Sequence, residues 1–535
     1  MSRSTNGEDS APLALRTIGI VLAITFAFPG AYLVWRNFTE DADPTGLLFS
    51  SATVEPMLRT LRLAVSVSVA AAGLGTSLAW FSTRTDLPMA QMWRVLLPLP
   101  LVFPTFIGAA AFIRTLNPGG LGNDVLSDFG VDQTPELSGF FGAWLVLTLF
   151  TFPYVYLPVA ARLRQLPGSF EDSARVLGDS AARAVAKTVL PHISGSVAAG
   201  TLLVFLYTIS DFGAVQLMRY DTLTRAIETN YLARPPTAFA LSLVLMVMAA
   251  LVVAAERLVS RRLPVMGAAR SSRAVQYRLG RWRWPCFGAV FAAAALSLGA
   301  PTAALVDWAS DGLLRERRGG RPLTIDADKV LEATVNTLTA GVLTALAAAL
   351  AVIPIAYLLG RYRDRIGSLS HAVVIATFAL PGILIALALR FWTIKAGPAG
   401  DLLYDTLALL IFAYTVRFAS LAMGVTLVAV RSIPAPMRDV AATLGAKGPR
   451  RLASIDLPLM TPGILAGAGL VLMSTMKELP ISLIVAPIGF PTLTTRIFGS
   501  FEDAFVAEAG IMAVVLVAIS ALLSWFLVLR RADHF

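Results

Sequence analysis

Asp172-Ser173-Ala174-Arg175-Val176-Leu177-Gly178 is followed, twelve residues beyond its glycine, by Leu190-Pro191. The arrangement returns as Asp439-Val440-Ala441-Ala442-Thr443-Leu444-Gly445, again with Leu457-Pro458 twelve residues on. Asp172 and Asp439, Gly178 and Gly445, and Leu190 and Leu457 each lie 267 residues apart, so the stretches are copies held in register. Both sit in arginine-containing polar segments between long apolar runs, which places them at a membrane surface rather than inside the bilayer.

The 535 residues are 56% hydrophobic and only 15% charged, with a mean hydropathy of +0.70. Soluble domains of this length cannot hide that much apolar surface in their cores. Apolar runs occur at 14–35, 57–82, 92–113, 139–161, 193–217 and 236–256. They recur at 286–306, 332–359, 369–392, 403–429, 461–486 and 508–530. Each is long enough to cross about 30 Å of hydrocarbon as a helix. The formal charge of +10 does not point to nucleic acid, because the basic residues gather between apolar runs and form no basic domain. The single cysteine, Cys286, excludes an internal disulfide framework, and no Cys/His cluster has metal-site spacing. His192 and His371 read as loop or helix-end residues.

Loop charges predict the orientation. The segment 36–57 carries Glu40, Asp41, Asp43 and Glu55 against Arg36, and 114–138 carries Asp124, Asp128, Asp132 and Glu136 against Arg114. By contrast 257–283 holds Arg257, Arg261, Arg262, Arg270, Arg273, Arg278, Arg281 and Arg283 with no acid. The arginine-rich side is expected to be cytoplasmic, which puts both termini and both motif copies there. Trp282 and Trp284 beside Arg281 and Arg283 read as an interfacial anchor in the lipid bilayer.

The halves match beyond the motif. Thr60-Leu61 pairs with Thr337-Leu338, and Pro104 with Pro381, at 277 residues. Ala199-Gly200 pairs with Ala466-Gly467, and Asp211 with Glu478, at 267. The expected fold is therefore an all-α integral membrane protein of twelve transmembrane helices, arranged as two six-helix parallel repeats with a path between them. Its expected divisions are a tail at 1–13, a first half at 14–256 with the motif loop at 170–191, a flexible basic linker at 257–285, and a second half at 286–535 with the loop at 437–458.

Within each loop, Asp172 and Asp439 can start a short helix. Ser173-Ala174 and Ala441-Ala442 are small enough to let another surface approach. Gly178 and Gly445 would end the helix, and Pro191 and Pro458 would break the chain before the next span.

This pattern, Asp/Glu-x-Ala…Gly followed by Ile-x-Leu-Pro, resembles the coupling motif of ABC importer permeases. The second copy is the fuller, with Ile455-Asp456-Leu457-Pro458; the first has Thr188 at the isoleucine position, and both have aspartate where glutamate is usual. The resemblance implies a subunit of a bacterial cytoplasmic-membrane importer. Its two loops would dock into two cytoplasmic ATPase subunits, and an extracytoplasmic binding protein would deliver the substrate. The chain has no Gly-x-x-x-x-Gly-Lys-Ser/Thr phosphate loop and no soluble stretch long enough for a nucleotide-binding domain. It is thus expected to be a transport subunit rather than an enzyme, with ATP and magnesium bound by the partners and no cofactor of its own.

Ser210-Asp211-Phe212-Gly213 with Thr222-Leu223-Thr224, and Lys477-Glu478-Leu479-Pro480 with Thr492-Leu493-Thr494, are similar to ferric-iron permeases of this class. That resemblance implies Fe3+ as cargo, a hard cation that prefers oxygen ligands. Two carboxylates are not a binding site, so no metal ligands are assigned. Fused thiamine permeases share the layout, and separate-chain relatives carry sulfate, polyamines or phosphonates. From a different class, a secondary transporter driven by an ion gradient also has twelve helices in two halves, but needs no duplicated docking loops. Asp211 and Glu478 lie about 18 residues into their runs, roughly 27 Å above the cytoplasmic face. Two readings stay open: carboxylates facing the translocation path, or acidic caps where each helix breaks before Gly213 or Pro480.

Overall fold

A computed structural model describes residues 11–39, 44–118, 120–121, 136–262, 275–314, 327–434, 437, 440, 443 and 448–525. Most of the expected tail, the middle of the linker, and Asp439, Ala441 and Gly445 of the second motif lie outside the described residues. The described chain is helical, with one isolated bridge between Thr85 and Tyr277 as its extended pairing. Ten helices are long and apolar enough to cross a membrane, and two bent helix pairs raise the number to twelve if each pair is one span.

Those bent pairs correct two expected spans. The runs at 92–113 and 369–392 are not straight helices: each turns by 102°, after Val102 in the first and after Ala379 in the second. Pro104 and Pro381 are the cause. A proline pushes the residue before it out of the helical region and lacks the N–H that would continue the ladder. Phe103 (φ −79°, ψ 130°) and Leu380 (φ −69°, ψ 120°) are accordingly extended, and the helices Thr105–Leu116 and Gly382–Lys395 start afresh beyond the prolines. The runs at 193–217 and 461–486 also break, after Ser210 and Thr475, before short helices Gly213–Leu217 and Pro480–Val485.

Two compact units form, and they are not the two sequence halves. One joins the first helix, Leu13–Thr39, to residues 324–503 and 515–535. The helix packs there on Arg365–Ala379 and Gly382–Lys395, with Phe28 edge-on to Trp392 at 5.4 Å and Arg16 paired with Asp364 at 2.8 Å. The other unit keeps the chain from 43 to 323 and adds residues 504–514, so it includes the first helical run of the second half. Its part Ala300–Leu314 packs on Thr105–Leu116, where Arg114 meets Asp307 at 2.9 Å. Each half therefore surrenders its first helix to the other unit.

The core of each unit repeats one design. Ser51–Arg84, Pro153–Gln165 and Leu190–Ser210 pack together in one; Ala327–Tyr357, Leu407–Ser432 and Leu457–Thr475 do so in the other. Small residues allow the close approach. A Cβ on Gly200 would lie 2.7 Å from the Val155 Cα, and one on Gly467 would lie 2.9 Å from the Ala422 Cα.

Candidate functional site

The first motif copy folds as the short helix Ser169–Val176, with Leu177 as its C-cap. Gly178 takes φ +93°, while its N–H reaches the Arg175 carbonyl and the Asp179 N–H reaches the Ala174 carbonyl, both at 3.0 Å. These are the paired bonds by which a left-handed residue closes a helix, and glycine adopts that conformation without a Cβ penalty. A Cβ at Gly178 would meet nothing within 4 Å, so the backbone angle rather than space calls for glycine. Val176 and Leu177, 86% and 87% exposed, project from this end.

Three local expectations change. Asp172 is exposed in the first turn, where its charge suits the helix dipole, but the N-cap is Gly168 and no side chain caps it. Ser173 is exposed, whereas Ala174 is buried toward the body of the unit, so only one of the small pair faces outward. Pro191 and Pro458 do not break the chain. Helical turns run through a π-turn at Val185–Val189 into Leu190–Ser210, and through Leu452–Asp456 into Leu457–Thr475. The Leu190 and Leu457 amides bond back five residues, to Val185 and Leu452. The wide turn absorbs the missing proline donor. Leu190 and Pro191 are exposed; Ile455 and Leu457 are half-buried and Pro458 is exposed. In the second motif region Met437, Val440 and Thr443 are described, and all three are exposed.

Sequence reasoning missed what holds the first motif helix. Glu171, one residue before Asp172, is 1% exposed and accepts from Arg84 Nη1 at 2.9 Å. Arg84 is fully buried and also donates to the carbonyls of Leu163 (3.1 Å) and Leu166 (3.2 Å). The Tyr277 hydroxyl donates to the other Glu171 oxygen. Burial, with the adjacent carboxylate, pushes that hydroxyl's pKa up, so it remains a donor. Phe170 stacks on His192 at 5.3 Å; the histidine lies within the continuous helical run that passes the π-turn, not at the helix end expected of it. In the second half the buried acid is Asp456, which accepts from the Tyr357 hydroxyl and lies 3.7 Å from Arg451 Nε.

The carboxylates Asp211 and Glu478 sit at equivalent breaks. Asp211, 7% exposed, accepts from the Ala214 N–H at 3.0 Å and from the Thr105 hydroxyl at 2.5 Å. It caps the helix beyond the break and ties it to the first residue after Pro104. Glu478 reaches the matching place: a Cβ on Gly382, the first residue after Pro381, would lie 2.2 Å from Glu478 Oε1. The backbone around both breaks repeats as well. Thr224 donates to the Asp211 carbonyl at 2.6 Å and Thr494 to the Glu478 carbonyl at 3.2 Å. The Leu223 N–H bonds Thr60, and the Leu493 N–H bonds Thr337, both at 2.8 Å. Among the described residues no group of three or more His, Cys, Asp or Glu side chains could hold a metal ion.

The described residues form a duplicated helical membrane protein with equivalent helix breaks in its two halves. Residues 71–265 and again 352–532 match the family of binding-protein-dependent transport system inner membrane components, and the chain belongs to that family. It is 27% identical over 527 residues to the Fe(3+)-transport system permease protein FbpB 2 of Haemophilus influenzae, covering 96% of this chain and 97% of that protein. It is 28% identical over 225 residues to the molybdenum transport system permease protein ModB of Mycobacterium tuberculosis, covering 41% of this chain and 80% of that one. It is 27% identical over 185 residues to the sulfate transport system permease protein CysT of Escherichia coli, covering 35% and 64%. The protein is thus a multi-pass membrane permease of the ABC importer class, with both halves of the permease fused in one chain.

Proposed function

We propose that this permease carries ferric iron, handed over by an extracytoplasmic binding protein, and is driven by two cytoplasmic ATPase subunits that dock on the loops at 170–191 and 437–458. The observation that carries the docking assignment is the glycine-closed helix Ser169–Val176, which presents Val176 and Leu177 almost fully exposed at the tip of a braced segment. Burying two such side chains in a partner's groove contributes about 1.5–3 kcal/mol each. Iron is favoured because the match to the Fe(3+) permease runs the length of both chains, while the molybdenum and sulfate permeases align with less than half of this one. An oxyanion is the second reading, carried by those half-length relatives.

In this account the loaded binding protein docks outside, closure of the ATPase pair draws the two loops together, and the bundle opens outward. Both termini then lie in the cytoplasm. Of the two readings of Asp211 and Glu478, the contacts of Asp211 with Thr105 and the Ala214 N–H support the helix cap. The cargo is tested by uptake of radiolabelled ferric iron, molybdate and thiamine in cells with and without the chain. Loss of iron uptake alone supports the reading; loss of molybdate or thiamine uptake replaces the cargo and leaves the permease class standing.

A further inference from the structure

The inter-half linker is more than a tether. Its described end runs beside the last turn of Ser51–Arg84: the Tyr277 N–H bonds the Arg84 carbonyl at 2.7 Å, and the Asp86 N–H bonds the Tyr277 carbonyl at 3.2 Å. The Leu279 N–H bonds Asp86 Oδ1 at 2.8 Å. Two backbone bonds and one to the Asp86 carboxylate therefore pin residues 277–279 to residues 84–86. From that pinned position the Tyr277 hydroxyl reaches Glu171 on the motif helix, whose other oxygen is held by the buried Arg84. Arg84 in turn is anchored on the carbonyls of Leu163 and Leu166, just before the motif helix begins. Arg84 Nη1 also reaches the Val275 carbonyl at 3.5 Å, so the guanidinium's planar set of donors meets four acceptors, one of them on the linker itself, a geometry that a lysine could not reproduce.

We propose that residues 275–279 act as a strap that, through Tyr277 and Arg84 acting on Glu171, fixes the orientation of the first ATPase-docking helix and makes the two docking sites inequivalent. The inference rests on the docking role proposed above. The second motif cannot form the same pair, because the position matching Glu171 is Arg438. Its acid, Asp456, lies instead on the π-turn beyond the motif and is paired with Tyr357 and Arg451. A fully buried ion pair gains little net stability over apolar packing, but removing one partner is costly, so such a pair is well suited to enforcing one geometry. Tyr277 and Arg84 are positioning residues: they touch neither ATPase nor cargo, and they act through Glu171.

The test uses the full chain, purified in detergent, with its ATPase subunit added. Amide exchange across 171–178 is measured in the free permease, and the ATPase binding isotherm is measured for wild type, Tyr277→Phe and Glu171→Gln. The strap predicts exchange faster by on the order of 10-fold in Tyr277→Phe. It also predicts an isotherm in which one of two sites weakens by about 10-fold and the other is unchanged. Should Glu171→Gln fail to insert, Tyr277→Phe, which keeps the ion pair, carries the test alone. Either readout left at its wild-type value in Tyr277→Phe overturns the strap. Gly178→Glu is the control: if that variant binds the ATPase as wild type does, the docking reading falls; if it loses one site while Tyr277→Phe is silent, only the strap falls.

Discussion

Asp211 and Thr105 are joined by a hydrogen bond of 2.5 Å across 106 residues of chain, at the point where two broken helices meet. One broken helix starts after Pro104 and the other resumes after Asp211, so a single carboxylate bridges both interruptions. In the other half Glu478 lies against Gly382, the residue that matches Thr105, so the acid keeps its place although glycine offers no hydroxyl to bond it. The acid, the proline and the break belong together, and the contacts of Asp211 are those of a cap.

A cap makes a graded prediction. Asp211→Ala removes the acceptor for both Thr105 and the Ala214 N–H and should destabilise the purified permease by about 1–3 kcal/mol. Asp211→Asn keeps an oxygen for Ala214 and should lose less. Thermal unfolding in detergent separates them; equal and negligible losses would leave Asp211 without a structural role.

Gly178 answers to its backbone angle. Gly178→Ala meets no atom, yet must hold a left-handed conformation at a cost of about 1–2 kcal/mol. Exchange of the Asp179 amide, which bonds the Ala174 carbonyl, should accelerate in Gly178→Ala and less so in Gly178→Asn. Unchanged protection would show that the helix end does not depend on the glycine.

Helix contacts at Gly200 and Gly467 are backbone to backbone. Even an alanine would press on Val155 or Ala422, so Gly200→Ala and Gly467→Ala should each destabilise by about 1–3 kcal/mol. Gly424 provides the contrast: it is exposed, with nothing within 4 Å, and Gly424→Ala should be neutral or stabilising by up to about 1 kcal/mol. Comparable melting temperatures for all three would contradict the packing.

The Arg16–Asp364 pair predicts a pH dependence. Burial raises the Asp364 carboxyl, but the Ile366 N–H and the Arg16 guanidinium outweigh it and hold the pKa below its ordinary value. A carboxyl depressed in the folded state adds stability above its unfolded pKa of about 4, and that stability is lost as pH falls through the folded value. Arg16→Met should therefore melt lower than wild type near neutral pH, and the gap should close as pH drops below about 4. A gap independent of pH would mean that Arg16 acts through packing alone.

Much of this fold is legible in the sequence because it is written twice. The matched Thr60 and Thr337, and the Thr-Leu-Thr stretches after each break, make equivalent hydrogen bonds in the two halves. The long apolar runs likewise mark spans that the structure contains. Hydropathy, however, reports only that a run prefers lipid. It could not show that Pro104 and Pro381 fold two runs back by 102°, since an apolar run looks the same straight or bent. Nor could it assign Leu13–Thr39 to the second half's neighbours, because partner choice is fixed by contacts such as Phe28 with Trp392 that leave no periodic trace. The Arg84–Glu171–Tyr277 cluster was hidden for a related reason. Each residue sits in a polar stretch where charge is ordinarily solvated, and only the tertiary fold brings the three together. Glu171 beside Asp172 was the available signal: two adjacent acids at a helix start, of which one turns inward.

The two loops are proposed as the points where the ATPase grips the permease. The most direct test purifies the chain with its ATPase after Gly178→Glu or Gly445→Glu, and follows iron uptake in the same cells. The account predicts inserted, folded permease in normal amount, impaired retention of the ATPase at the altered loop, and no uptake above that of cells lacking the chain. Wild-type ATPase retention and wild-type uptake in both variants would contradict it.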